Sequence, residues 1–121
     1  TFCEKFMVIQ NIKFVKIETF SPQEDVQSII QAFTDAGGGK VGNYDHVYTT
    51  SKVIGHWRPL QGSNPTIGMI GKIESKAEIK IEFICPIEIV KSVVLAIQNS
   101  HSYEAPVINI IPMFSFHIEE S

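Results

Sequence analysis

Residues 77 to 85, AEIKIEFIC, restrict the possible folds more than any other stretch of the chain. Ile79, Ile81, Phe83 and Cys85 alternate with Glu78, Lys80 and Glu82. Successive side chains of a strand point to opposite faces, so this is a strand with one dry face and one charged face. Such a strand belongs in an antiparallel sheet covered on one side. Pro86 then suits the first turn of a helix, and Glu88 places a carboxylate near the positive end of its dipole. Ile87, Val90, Val94 and Ile97 form the predicted buried stripe of that helix. The polar run Asn99-Ser100-His101-Ser102 ends it, and Val107 to Ile111, between Pro106 and Pro112, reads as a last strand.

The first half of the chain repeats this plan. Ile12 to Phe20 is rich in β-branched and aromatic residues and reads as a strand. Ser21-Pro22-Gln23-Glu24 predicts a capped helix start, with a Pro at the first helical position and a Glu three residues after the capping hydroxyl. Val26, Ile29, Ile30 and Phe33 fall on one helical face, and Gly37-Gly38-Gly39 ends it. Asn43 to Thr50 and Val53 to Trp57 predict a hairpin turning at Ser51-Lys52. The order strand, helix, strand pair, loop, strand, helix, strand implies an α+β ferredoxin-like βαβ-βαβ sandwich, an antiparallel sheet with two helices on one face. The domain spans 12–113. The flanks 1–11 and 114–121 carry Phe2, Phe6, Val8, Ile9, Phe114, Phe116 and Ile118, more apolar than free termini should be, which points to contacts in an oligomer.

With 121 residues the chain is one domain's worth, and no apolar run approaches the roughly 18 residues of a membrane span. A net charge of -3 provides no basic stripe, which argues against nucleic acid and anionic lipid as partners. Cys3 and Cys85 have no metal-ligand spacing and fit a reducing compartment. The short run Phe6 to Ile9 is broken by Gln10 and Asn11 and has no small-residue cleavage site, so the cytoplasm is the expected location.

No nucleophile elbow, P-loop, dinucleotide fingerprint or H-E-x-x-H motif is present. The glycines of GGGKVG, residues 37 to 42, follow a helix and precede a strand, the reverse of a phosphate-binding loop, and read as helix termination. His46 and His56, on neighbouring arms of the expected hairpin, lack a third metal ligand. His101, Tyr103 and Glu104 stand at the join of the second helix and last strand, as a corner lock or a metal site. The stretch HWRPLQGSNPTIGMIG, residues 56 to 71, sets the only Trp (Trp57) beside the only Arg (Arg58) in a loop with three glycines. A planar five-donor fork beside a stacking surface suits an anionic or planar ligand, and equally suits bracing of a long loop.

Taken together, GKIESKAEIKIEF and HSYEAPVINIIPM resemble the CutA family, which carries a G-K-I-E element and H-x-Y-E-x-P before its last strand. GNYDHV and WRPLQGSNPTIGMIGKIE resemble more closely the insert domain of YqfO-type proteins of the dinuclear-metal-centre, NIF-three-like hexameric family. The resemblance covers about residues 12 to 113. It implies a CutA/PII-like fold, usually trimeric, with no established catalytic role for the insert. The lobes that hold the dinuclear centre do not fit within this length, so the cyclohydrolase-like activity attached to the family name is not carried over. Ala105 stands where H-x-Y-E-E-P has a second acid.

The expectation is a stand-alone, non-catalytic module that forms a homo-oligomer, most simply a trimer. It would bind a small ligand or protein partner through Asn43, Tyr44, Asp45, Trp57, Arg58, Gly62, Ser63 and Asn64. One alternative is a CutA-type divalent-metal-binding protein using His101 and Glu104, and a third is an enzyme acting at the 56–71 loop. No cofactor is assigned beyond a divalent metal under the first alternative.

Overall fold

The computed structural model describes residues 12–65, 67–103 and 106–114. The chain runs β1 (Phe14–Ser21), a 3-10 turn (Gln23–Asp25), α1 (Val26–Asp35), β2 (Tyr48–Trp57), β3 (Glu74–Pro86), a second 3-10 turn (Ile87–Ile89), α2 (Val90–Ser100) and β4 (Ile108–Met113). The four strands pair antiparallel in the order β2-β3-β1-β4, with both helices packed together on one face. This is the ferredoxin-like α+β sandwich that the alternating strand and the two helical stripes require. The flank residues 1–11 and 115–121, including His117 and Cys3, lie outside the described residues.

The dry face of β3 meets the helices as its alternation demands. Ile81, Phe83 and Cys85 join Val15 and Ile17 of β1, Val26, Ile29, Ile30 and Phe33 of α1, and Val93 and Ile97 of α2 in one core. Phe33 and Phe83 stack with ring centroids 3.7 Å apart and planes 9° from parallel. Truncating either to Ala would cost about 3–5 kcal/mol, since the transfer free energy is lost and a cavity remains. The glycines after α1 serve this stack: a Cβ on Gly38 would come within 2.7 Å of the Phe83 ring. Gly37 turns the chain at φ 101°, a conformation a side chain would resist.

Four expectations are corrected. Residues 43–57 are not a hairpin: Tyr48–Trp57 is one continuous strand, and its hairpin partner is β3, reached through the 58–73 loop. A Ser-Lys pair lacks the positive-φ preference of a tight hairpin turn, whereas the loop supplies glycines that have it. His46 and His56 therefore stand toward opposite ends of one extended segment and do not face each other. Ser21 does not cap α1; its buried hydroxyl donates to the Pro22 carbonyl at 3.0 Å, and Pro22 leads into a 3-10 turn before the helix starts. In the second helix the buried positions are Val93 and Ile97, with Val90 and Val94 partly covered, while Ile87 falls in the 3-10 turn and is 46% exposed. The tighter turn rotates Ile87 off the stripe that a helix begun at Pro86 would have given it.

Candidate functional site

The sheet face away from the helices has two halves of different character. Even-numbered residues of β1 and β3 project there, as do their register partners Thr49, Ser51, Val53, Gly55 and Trp57 of β2. Toward one end, Glu18 and Glu82 stand directly opposite each other on β1 and β3. Two lysines offset that like-charge contact. Lys80 lies 3.4 Å from each carboxylate, Lys16 lies 3.3 Å from Glu82, and Asn109 of β4 donates to Glu18 at 2.7 Å. Lys16, with Lys80, draws the Glu82 carboxyl below its ordinary value against the opposing effect of burial.

Toward the other end the face is concave. The 58–73 loop folds beside it, braced by its own backbone: Gly71 N–H donates to the Pro59 carbonyl at 2.7 Å, Ser63 N–H to Leu60 at 3.0 Å, and Lys72 N–H to Met69 at 3.1 Å. Pro59 is buried, and Gly68 (φ 105°) lies so close to Glu74 that a Cβ would meet its Cγ at 2.7 Å. Between loop and sheet lies a cleft of about 470 Å³. Trp57, Pro59, Pro65 and Ile67 form its apolar walls, Ser63 and Asn64 offer polar groups from the loop, and Lys76, Glu78 and Tyr103 close it on the sheet side. A second groove of about 380 Å³ continues past Glu78 and Tyr103 toward Phe20, Val53 and Val107.

Tyr103 reaches the open face because the segment after α2 is tied down. The His101 Nε2 atom lies 2.6 Å from the Phe20 carbonyl, and the Tyr103 N–H donates to His101 Nδ1 at 3.1 Å. A carbonyl can only accept and a backbone N–H can only donate, so the imidazole carries its proton on Nε2 and uses its Nδ1 lone pair for Tyr103. The Ser102 hydroxyl and N–H both donate to Asp25 Oδ2 in the first 3-10 turn, the N–H at 3.1 Å. The Tyr103 hydroxyl donates to Glu78 Oε2 at 3.1 Å and receives the Lys76 ammonium at 3.4 Å, which also lies 5.4 Å from the ring centroid. Burial raises the phenol's pKa, and the Glu78 charge adds to this against the lowering effect of Lys76, so the hydroxyl stays protonated and donating.

The structure thus joins Trp57, Ser63, Asn64 and Tyr103 of the expected site residues in one cleft, together with Lys76 and Glu78. Arg58 is exposed beside the cleft without lining it, and makes no hydrogen bond or ion pair among the described residues. Gly62 sits at the loop tip with φ 94° and open space around it. Asn43, Tyr44 and Asp45 belong to the exposed turn before β2, closed by a Val41–Tyr44 bridge. That turn lies at the opposite end of the strand from Trp57, roughly 30 Å away at about 3.3 Å per residue. Glu104 lies outside the described residues. A metal role fits His101 poorly, since both ring nitrogens are occupied by the chain, and no three metal-binding side chains cluster among the described residues. His46 bonds its neighbour Asp45 at 3.0 Å, on the exposed turn.

Sheet order, helix placement and cleft define a ferredoxin-like domain of the CutA type. The CutA protein of Archaeoglobus fulgidus, described as a periplasmic divalent cation tolerance protein, superposes with a TM-score of 0.63 over 86% of this chain and 87% of its own, at 18% identity. A Bacillus cereus protein related to NIF3 superposes more closely, with a TM-score of 0.76 and 28% identity, over 86% of this chain and 26% of that one. In sequence the chain is 34% identical over 98 residues to the Bacillus subtilis GTP cyclohydrolase 1 type 2 homolog and 36% identical over 98 residues to that of Halalkalibacterium halodurans. No family model matches the chain. It spans about a quarter of the length of the curated relatives it matches, 81% of its own residues aligning with 26% of theirs. The chain is similar in sequence to one segment of these larger proteins and shares its fold with CutA.

Proposed function

We propose that this domain is a non-catalytic ligand-binding or regulatory module that works as a homo-oligomer and takes a small molecule into the cleft beside the 58–73 loop. The observation that carries this reading is the cleft itself. A groove of about 470 Å³ walled by Trp57, Pro59, Pro65 and Ile67, with a few convergent polar groups, has the size and character of small-molecule sites. The loop holds its shape through its own backbone bonds, so Arg58 is not spent on bracing and stays available at the rim. Tyr103 and Glu78 are engaged with each other in a binding wall, and among the described residues no nucleophile-base pair accompanies them, which favours binding over turnover.

Assembly is supported by β4, an edge strand whose Ile110 and Ile111 are 47% and 40% exposed. Such an edge invites pairing or coverage by another copy. No helix among the described residues is long and apolar enough to cross a membrane.

The test is a thermal-shift screen against nucleotides, metabolites and divalent cations, repeated on Trp57→Ala. A compound that binds the native state raises its apparent stability, and the cleft is responsible if Trp57→Ala abolishes the shift. A shift produced by divalent cations alone, and indifferent to Trp57, would favour the metal-binding alternative.

A further inference from the structure

Glu78 differs from the other carboxylates across the middle of the open face. Glu18 and Glu82 each hold an ion pair with a lysine, whereas Glu78 makes none among the described residues. The neighbouring ammonium, Lys76, is directed at the Tyr103 hydroxyl. Glu78 Oε2 accepts from Tyr103, but Oε1 accepts no hydrogen bond among the described residues. That free oxygen lies over Gly55, where a Cβ would come within 2.6 Å of it. Absence of a side chain at position 55 is what allows the carboxylate to lean into the second groove. The rest of that groove's lining is apolar or aromatic, with Phe20, Val53, Val107 and the Tyr103 ring, and Glu78 is its one charged member among the described residues.

A carboxylate set in apolar walls is costly unless something pairs with it. Its two oxygens accept a planar pair of N–H donors well, and flanking aromatic faces suit a flat cation. We infer that the second groove is a subsite for a small planar cation with paired N–H groups, an aromatic amidine or an aminated heterocycle, and that Glu78 sets this preference with Gly55 making room for it. This rests on the ligand-binding reading above and names its ligand class. Lys76 lines the first cleft and is absent from the lining of the second, so an anionic group on the same ligand would lie toward Trp57.

Benzamidine, benzamide and benzoate share one shape and differ in charge, and their dissociation constants for the full chain can be measured by ligand-observed NMR titration. Benzamidine should bind at least about tenfold more tightly than benzoate, as a charge-assisted pair to the Glu78 carboxylate requires. Glu78→Gln should bring benzamidine to within about twofold of benzamide. Gly55→Ala, which keeps the charge but displaces the carboxylate, should weaken benzamidine selectively and serves if Glu78→Gln fails to fold. Benzoate binding as tightly as benzamidine, or an undiminished benzamidine preference in both variants, would overturn the assignment. If none of the three compounds binds while the thermal-shift screen still finds a Trp57-dependent ligand, the cation subsite is wrong and the binding module stands. If the screen is also empty, both readings fall together.

Discussion

The imidazole of His101 and the main-chain carbonyl of Phe20 meet at 2.6 Å across 81 residues of sequence, joining the end of the second helix to the first strand. Through Nδ1 the same ring orients the Tyr103 amide, so one side chain both closes the βαβ crossover and sets a wall of the cleft. His101→Ala should therefore lower stability by about 1–3 kcal/mol, because it strands a carbonyl and an amide that had been satisfied. A thermal melt checks this, and melting unchanged within a degree would show that solvent replaces both bonds.

The Asp25–Ser102 contact makes a pH-dependent prediction. The Ser102 hydroxyl bond is the main reason that the Asp25 carboxyl lies below its ordinary value; burial opposes it, and the Ser102 amide and the Lys76 charge lower it further. A carboxyl depressed on folding adds stability above its unfolded pKa, and that stability is lost as pH falls through the folded value. Ser102→Ala should lower the melting temperature at pH 7, followed by circular dichroism, and the difference from the unaltered chain should shrink as pH falls through the Asp25 range; a difference that grows in acid would contradict the assignment.

Cys85 is fully buried, and burial pushes its thiol up to about 11. Nucleophilic attack requires the thiolate, so the folded protein should resist iodoacetamide at pH 8 at this position and react there once denatured. Peptide mass spectrometry locates the label. Rapid native labelling of the Cys85 peptide would mean that the core opens far more often than its packing implies.

The homo-oligomer should appear in light scattering at micromolar concentration, and Ile111→Lys on the exposed edge strand should shift it toward the monomer. A monomer mass for the unaltered chain would end that part of the proposal.

Much of the fold was legible because it depends on periodic burial. The alternation at Ile79, Ile81, Phe83 and Cys85 and the stripe at Val26, Ile29, Ile30 and Phe33 each define a face without reference to the other. The β2 error had a local cause: Ser51 and Lys52 look like a turn only until β3 is known to pair with them, at Lys80 and Ile79. The site was legible in part for the same reason. Trp57 stands out as the only Trp, Ser63 and Asn64 through the stretch that carries the resemblance, and Tyr103 by its place after the helix. Glu78 looks like any solvated strand carboxylate in sequence, and only the register beside Gly55 and the return of Tyr103 across the sheet distinguish it. Asn43, Tyr44 and Asp45 belong to GNYDHV, which carries the resemblance together with the loop, and the continuous β2 separates them from it.

Trp57 is the only tryptophan, so its fluorescence reports on the proposed binding cleft alone. The most direct measurement is a fluorescence titration with whichever compound gives the largest thermal shift, run in parallel on Tyr103→Phe, which keeps the ring and removes the hydroxyl that Glu78 accepts. A ligand in the cleft should produce a saturable change in Trp57 emission and bind more weakly to the variant. A compound that stabilises the protein while Trp57 emission stays constant, with equal affinity for both proteins, would contradict the proposal.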